Sequence, residues 1–334
     1  MLYAGKISQI YEYILNWKYV KKSYILINRQ NLNNSLFNFS ETKSNNNINY
    51  TLFKKEISEH IPNYYKPLND EQLGHYLSGL IDGDGHFDNQ NGNLIIAYAL
   101  KDVQAAYWLK SMIGYGKISK IKDKQGYKYV LSHSEGLLYV LKLINNKLRT
   151  IQKYNQVINN LLCKNDLVNK LFYYEFDNFN YNKSLDFNNH WLSGFMDSDG
   201  SFQIKVINRK SRSKPEIRLK LQISQKNISI LNDIKYFLCN LHNKSPIDFN
   251  NLNGCYIGKR IHNNNEDAVT YYLETTSFNI NKNVINYFDH YPLVSTKYIS
   301  YLYYRKVYIL IKNREHLTDL GIYKIMDIKS KINK

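Results

Sequence analysis

The phrase Leu77-Ser78-Gly79-Leu80-Ile81-Asp82-Gly83-Asp84-Gly85 returns as Leu192-Ser193-Gly194-Phe195-Met196-Asp197-Ser198-Asp199-Gly200, and each copy is trailed by a polar residue and a phenylalanine, His86-Phe87 and Ser201-Phe202. The two copies stand a whole domain apart, far beyond the period of a solenoid repeat. The chain is therefore expected to fold as two similar halves, each supplying one helix with an acidic end.

The 334 residues suffice for two cores, and a hydrophobic content of 43% suits a folded chain. An excess of 45 Lys and Arg over 28 Asp and Glu, net +17, points to a polyanionic partner, because each neutralised phosphate releases counterions. Charge alone does not separate DNA, RNA and an anionic membrane. No apolar run long enough to span a bilayer occurs, so no membrane partner is expected. Cys163, Cys239 and Cys255 lack zinc-type spacing and argue for neither a zinc site nor a disulfide framework. The bias to Asn, Lys, Ile and Tyr, with 31 Tyr and 5 Pro, is that of AT-rich codons and hints at an organellar genome. Near the N-terminus, Lys6, Lys18, Lys21 and Lys22 outweigh Glu12, a weak likeness to a transit peptide that lacks its Arg and Ser richness.

Residues 1–62 read as an N-terminal extension of uncertain order, since the Asn- and Ser-rich run from Asn38 to Asn49 buries too little apolar surface to offset its ordering entropy. From Asn69 the signals sharpen. Asn69 and Gln72 form a capping-box-like start to a helix toward Asp84, and Gly85 and Gly200 are expected to end the two motif helices in the left-handed conformation. Strand alternation follows each. Phe202, Ile204 and Val206 alternate with Gln203 and Lys205, and Ile217, Leu219, Leu221 and Ile223 alternate with Arg218, Lys220, Gln222 and Ser224. The intervening Asn208 to Pro215, with Arg209, Lys210, Arg212 and Lys214, reads as a cationic hairpin loop.

With further helices at Val103–Ile113, Ile228–Leu241, Ile151–Leu162 and Lys297–Ile311, each half reads α-β-β-α-β-β-α. The expected fold is α+β, with half-domains at 63–163 and 189–334 and a linker at 164–188.

On a helix, Gly79 and Gly83 share one face, as do Gly194 and Ser198, so the two helices can pack backbone to backbone. That seam brings Asp84 and Asp199 together at negative helix ends, where two carboxylates need a compensating cation. Mg²⁺, or another divalent cation such as Mn²⁺, suits, because it takes one or two carboxylates and leaves positions for water and phosphate oxygens. A lone Asp-Gly is ordinary turn chemistry. Its recurrence with the whole phrase is what makes it a candidate site.

These residues resemble the LAGLIDADG homing endonucleases, in particular single-chain members with two motif copies, over about residues 63 to 333. The resemblance implies a mitochondrial intron-encoded protein, a monomer with an internal pseudo-dimer, and antiparallel sheets forming a saddle for double-stranded DNA. It further implies metal held by the last acid of each motif, Asp84 and Asp199, with Gly83 and Ser198 beside them. Asp82 and Asp197 then serve a structural purpose. Gln225 looks like the family's polar residue that orders water near the metals. Leu100 takes that place in the first half, so only Lys101, one position on, is left to contribute. Lys153 and Lys297 look like the lysines that act near the scissile bond.

The implied reaction is in-line attack of water on a phosphodiester in each strand, without a covalent enzyme intermediate. Strands of about 10 residues reach roughly 33 Å, so two halves read on the order of 20 base pairs. Candidate DNA contacts are Gln203, Lys205, Arg209, Arg218, Lys220 and Gln222. The alternatives are an RNA-binding maturase that assists splicing of its own intron, alone or in addition, and a DNA-binding regulator without catalysis. Retention of both aspartates favours the nuclease.

Overall fold

In the computed structural model, residues 56–240, 253–262 and 265–332 are described. The first helix, α1 (Asp70–Gly83), starts where the capping signal places it. The Asn69 side chain accepts the Gln72 N–H at 2.9 Å, and Gln72 Oε1 accepts the Leu68 N–H at 2.9 Å. Two donors without helical partners are thus satisfied, and Asp70 and Glu71 favour the positive helix end.

The first half continues through β1 (His86–Phe87), β2 (Leu94–Ala99), α2 (Val103–Ile113), β3 (Lys117–Lys120), β4 (Gly126–Leu131), α3 (Ser134–Ile144) and α4 (Ile151–Gln156). After α5 (Asp166–Glu175), the second half runs through α6 (Trp191–Asp199), β5 (Gly200–Ile207), β6 (Glu216–Gln225), α7 (Ile228–Asn240), β7 (Tyr256–His262), β8 (Asn265–Thr275), α8 (Phe278–His290), α9 (Lys297–Lys312) and α10 (Asp319–Lys331). Each half carries a four-stranded antiparallel sheet, ordered β1-β2-β4-β3 and β5-β6-β8-β7. The doubled sequence has produced doubled topology.

Register follows the period-two pattern. Phe202 pairs with Leu221 and Ile204 with Leu219 on the buried face, while Gln203 pairs with Lys220 and Lys205 with Arg218 on the other. Leu77, Leu80 and Ile81 enter the core of the first half, with Ile96, Tyr129 and Leu137. Phe195 and Met196 enter the second, where Phe202 meets Phe288 and Tyr304 edge-on. Each motif helix thus belongs to the core of its own half. Among the described residues, no helix is long and apolar enough to cross a membrane.

Three expectations are corrected. Gly85 and Gly200 are not left-handed: among the described residues the glycines with positive φ are Gly92, Gly114, Gly116 and Gly254, and Gly200 is extended at φ −92°. Glycine is required there by space instead. A Cβ on Gly85 would lie 2.7 Å from Ile81 Cα, and one on Gly200 would lie 2.9 Å from the Met196 carbonyl oxygen, both backbone atoms that cannot swing aside.

The stretch read as a linker holds helix α5, capped by Asn165 and seated through Val168 and Phe172, both fully buried in the first core. With Leu167 and Leu171 beside them, these apolar residues recur four apart, the helical spacing.

Residues 56–62, assigned to the extension, lie along the second half. Ile57 is buried there, Glu56 pairs with Lys282 at 2.6 Å and Lys312 at 3.0 Å, and Arg305 Nη2 donates to the Ser58 and His60 carbonyls at 2.9 and 3.1 Å. The rest of the proposed extension, residues 1–55, lies outside the described residues.

Candidate active site

The site begins with the close approach of α1 and α6. A Cβ on Gly79 would stand 1.9 Å from the Trp191 carbonyl oxygen, and one on Gly194 would stand 2.0 Å from that of Tyr76. No side chain fits at either place. Further along, Gly83 lies against Ser198, whose hydroxyl donates toward the Leu80 and Gly194 carbonyls at 3.2 and 3.3 Å. The helices therefore end side by side, with Asp84 and Asp199 at their tips. Asp199 Oδ2 is 3.1 Å from the position that a Gly83 Cβ would take.

Both carboxylates sit at negative helix ends, where the macrodipole disfavours their charge. Burial and the neighbouring Asp84 push Asp199 up to about 7. Burial raises Asp84 too, against the pull of Lys297 and Lys153. A bound cation would relieve both. The donors fit a hard divalent ion: two carboxylates with the backbone of Gly83 and Ser198 beside them, all oxygen chemistry. Among the described residues, no group of three or more His, Cys, Asp or Glu could hold a metal, so a cation here would complete its shell with water or phosphate oxygens.

Two lysines approach from opposite halves. Lys153 Nζ donates to the Gly85 carbonyl at 2.6 Å, and Lys297 Nζ donates to the carbonyls of Ser198 at 2.6 Å and Met196 at 3.1 Å. Burial lowers both ammonium pKa values, and the nearby aspartates oppose that shift. Their ammonium groups therefore lie against the backbone of the two motif ends.

The first acid of each motif explains how the lysines reach that place. Asp82 accepts from the Arg149 N–H at 2.8 Å and from the Thr150 N–H and hydroxyl at 3.1 and 2.6 Å, fixing the entry to α4. Asp197 does the same for α9, accepting from the Val294 and Ser295 N–H groups at 2.8 and 3.3 Å and from the Ser295 hydroxyl. Each acid also takes one donor across the seam: Trp191 Nε1 to Asp82 at 2.9 Å, and the Tyr76 hydroxyl to Asp197 at 2.8 Å. Burial pushes Asp82 up to about 6 despite these bonds. The sequence carried no signal for the Trp191 and Tyr76 contacts, which join residues more than a hundred positions apart.

Gln225 Nε2 donates to Asp199 Oδ2 at 2.8 Å. No amide faces Asp84 in that way among the described residues, for Leu100 stands at the equivalent place and is half exposed. Lys101 is not brought to the pair. Strand β2 stops at Ala99, and a single 3-10 turn, Leu100–Asp102, leaves Lys101 exposed and buries Asp102. Asp102, which the sequence reading passed over, accepts from the Thr296 N–H at 2.9 Å and hydroxyl at 2.6 Å.

The candidate DNA contacts are less open than strand alternation implies. Lys205 is exposed and Gln203 half-buried, but Arg209 and Arg218 both pair with Glu216. Lys220 is 7% exposed and pairs with Glu274, because β8 sets that acid beside β6. Gln222, 9% exposed, accepts from Gln203 at 3.4 Å and donates to Ser224 at 3.3 Å. Lys205 apart, the outward polar side chains of β5 and β6 are thus paired with one another or with Glu216 and Glu274.

The family model of the LAGLIDADG endonucleases matches residues 192–308. An uncharacterised cox1 intron-2 protein of 37.2 kDa from Schizosaccharomyces pombe is 41% identical, over 97% of this chain and 94% of its own. The intron-encoded DNA endonuclease aI3 of Saccharomyces cerevisiae is 29% identical over 87% of this chain and 75% of its own. In fold, the chain is similar to I-SmaMI bound to an uncleaved DNA target in the presence of calcium ions, with TM-score 0.57, 21% identity, and coverage of 80% of this chain and 99% of that one. With its motif present in two copies, each ending a helix of the seam, this chain belongs to the LAGLIDADG homing endonuclease family.

Proposed function

We propose that the chain is a site-specific endonuclease that makes a double-strand break in DNA at the insertion site of its intron, using a divalent cation, with Mg²⁺ the natural choice. The observation that carries this reading is the pair Asp84 and Asp199, set at adjoining helix ends where burial and mutual repulsion favour a bound cation. A mitochondrial setting is supported by intron-linked relatives and an AT-rich codon bias.

Asp84 and Asp199 would hold the metal, with the Gly83 and Ser198 backbone alongside. When bound, such a cation polarises the phosphodiester and steadies charge on the attacking and leaving oxygens. The protein's own groups act around it. Gln225 holds one Asp199 oxygen in a fixed orientation, its own carbonyl oxygen being tied to the Lys226 N–H at 2.7 Å. Lys153 and Lys297 bring cationic charge to the place where charge builds on the transferred phosphoryl group. The polar faces of the two sheets position the duplex, with Lys205, Arg209 and Arg218 on phosphate and Gln203, Lys220 and Gln222 near base edges. Engagement requires exchanging the Glu216 and Glu274 pairs for DNA. A maturase role alone is the weaker reading, because assistance to RNA folding has no use for two facing carboxylates.

The test is to incubate the purified chain and Mg²⁺ with DNA carrying the uninterrupted exon junction. A staggered double-strand break at one site is expected, and EDTA should abolish it while leaving binding intact. Intact DNA under all divalent cations would contradict the proposal.

A further inference from the structure

At the start of helix α9 the Ser295 hydroxyl accepts the Lys297 N–H at 3.1 Å, while Thr296, the residue between them, makes no side-chain capping bond to the helix. Thr296 is restrained instead from the other half of the molecule. Asp102 Oδ1 accepts both the Thr296 N–H at 2.9 Å and the Thr296 hydroxyl at 2.6 Å. With Asp197 gripping Val294 and Ser295, three successive residues ahead of α9 are held by two carboxylates, one from each half.

Among the described residues, the first half has no counterpart to this contact. Its Arg149 and Thr150 are held by Asp82, while Asn227, which precedes α7 as Asp102 precedes α2, turns its side chain to the Ser229 N–H of its own helix at 2.9 Å. The halves are therefore not equivalent. The first half fixes the start of the second half's lysine helix, and no side chain at the matching position returns the contact.

We infer that Asp102 is a positioning residue that sets Lys297 from across the molecule, so that one of the two strand cleavages depends on the hydrogen-bond acceptor at position 102. This rests on the endonuclease reading. Asp102 is buried, and one oxygen takes both bonds, so the contact is demanding in geometry and indifferent to the second oxygen. An asparagine can present the same carbonyl oxygen; an alanine cannot.

Two measurements test it. On supercoiled DNA labelled separately on each strand, Asp102→Ala should slow cleavage of one strand about tenfold in kcat, with KM unchanged within about twofold, so that nicked circles accumulate. Asp102→Asn should restore the rate to within about threefold. Equal slowing of both strands, or Asp102→Asn as slow as Asp102→Ala, overturns the inference. Hydrogen exchange over residues 293–300 reads the contact without any cleavage and separates it from the endonuclease reading. Exchange there should rise at least about tenfold in Asp102→Ala and stay near wild type in Asp102→Asn, with far-UV circular dichroism unchanged in both. Unchanged exchange in Asp102→Ala overturns it even if the enzyme cuts.

Discussion

The indole N–H of Trp191, in the second half, donates to the Asp82 carboxylate of the first half at 2.9 Å. Asp82 thereby satisfies three N–H donors and a hydroxyl with two oxygens, and its pseudo-symmetric partner Asp197 receives Tyr76 in return. An amide offers one acceptor where two are needed. Asp82→Asn should therefore destabilise the chain by about 2–4 kcal/mol, read by urea unfolding, although the charge lost is one that burial disfavours. A change within about 0.5 kcal/mol would mean the contact is incidental.

The seam makes an equally sharp demand. Gly79→Ala and Gly194→Ala place a methyl group within 2.0 Å of a facing carbonyl oxygen, so the helices must separate. A loss of about 3 kcal/mol or more is expected for each. Gly114 supplies the contrast, since it has open space around it and only its φ of 81° to object. Gly114→Ala should cost about 1 kcal/mol, measured in the same way.

Acid should weaken the fold through two histidines. Burial lowers His190 and His75 to about 4 in the folded chain, against an unfolded value near 6.5. The unfolded state then binds the extra protons. Stability from these groups is full above pH 6.5 and is lost as pH falls through the window from 6.5 to 4. Each histidine accounts for on the order of 1–3 kcal/mol by the lower end. Thermal melts from pH 7.5 to pH 4 should show the decline, and His190→Gln should flatten it; an identical slope in that variant would rule His190 out.

Glu216 restrains two of the arginines expected on DNA. Glu216→Gln should tighten DNA binding about two- to tenfold by freeing Arg209 and Arg218. Lys205→Ala should weaken binding and reduce the slope of log affinity against log salt by about 0.9 if it meets one phosphate. Fluorescence anisotropy across a salt series checks both, and an unchanged slope in Lys205→Ala would remove that residue from the interface.

Much of this arrangement was legible in the sequence because it is local or periodic. The motif copies, the cap at Asn69, the alternation along Phe202 to Val206 and the helix Val103–Ile113 need only neighbouring residues to be read. The glycines of the seam were legible for the same reason, since their spacing places them on one helix face. What stayed hidden depends on contacts between distant residues. Trp191 and Tyr76 as partners of the buried acids, Asp102 as partner of Thr296, and Glu274 as partner of Lys220 come together only when two halves or two strands meet. Helix α5 did carry a local signal, the apolar pairs Leu167-Val168 and Leu171-Phe172 four apart behind the Asn165 cap, which the polar residues around it masked. Gly85 and Gly200 were placed correctly at helix ends but for the wrong reason, since sequence shows that a residue is small and not what presses on it.

The central claim, that Asp84 and Asp199 together hold the cation that cleaves DNA, meets its most direct test in the variant carrying both Asp84→Asn and Asp199→Asn. These changes keep the side-chain shape and remove the paired charge. Against the uninterrupted exon junction with Mg²⁺, DNA affinity should stay within about threefold of wild type while cleavage falls by about a thousandfold or more. Cleavage by the double variant at a rate near wild type would contradict the claim.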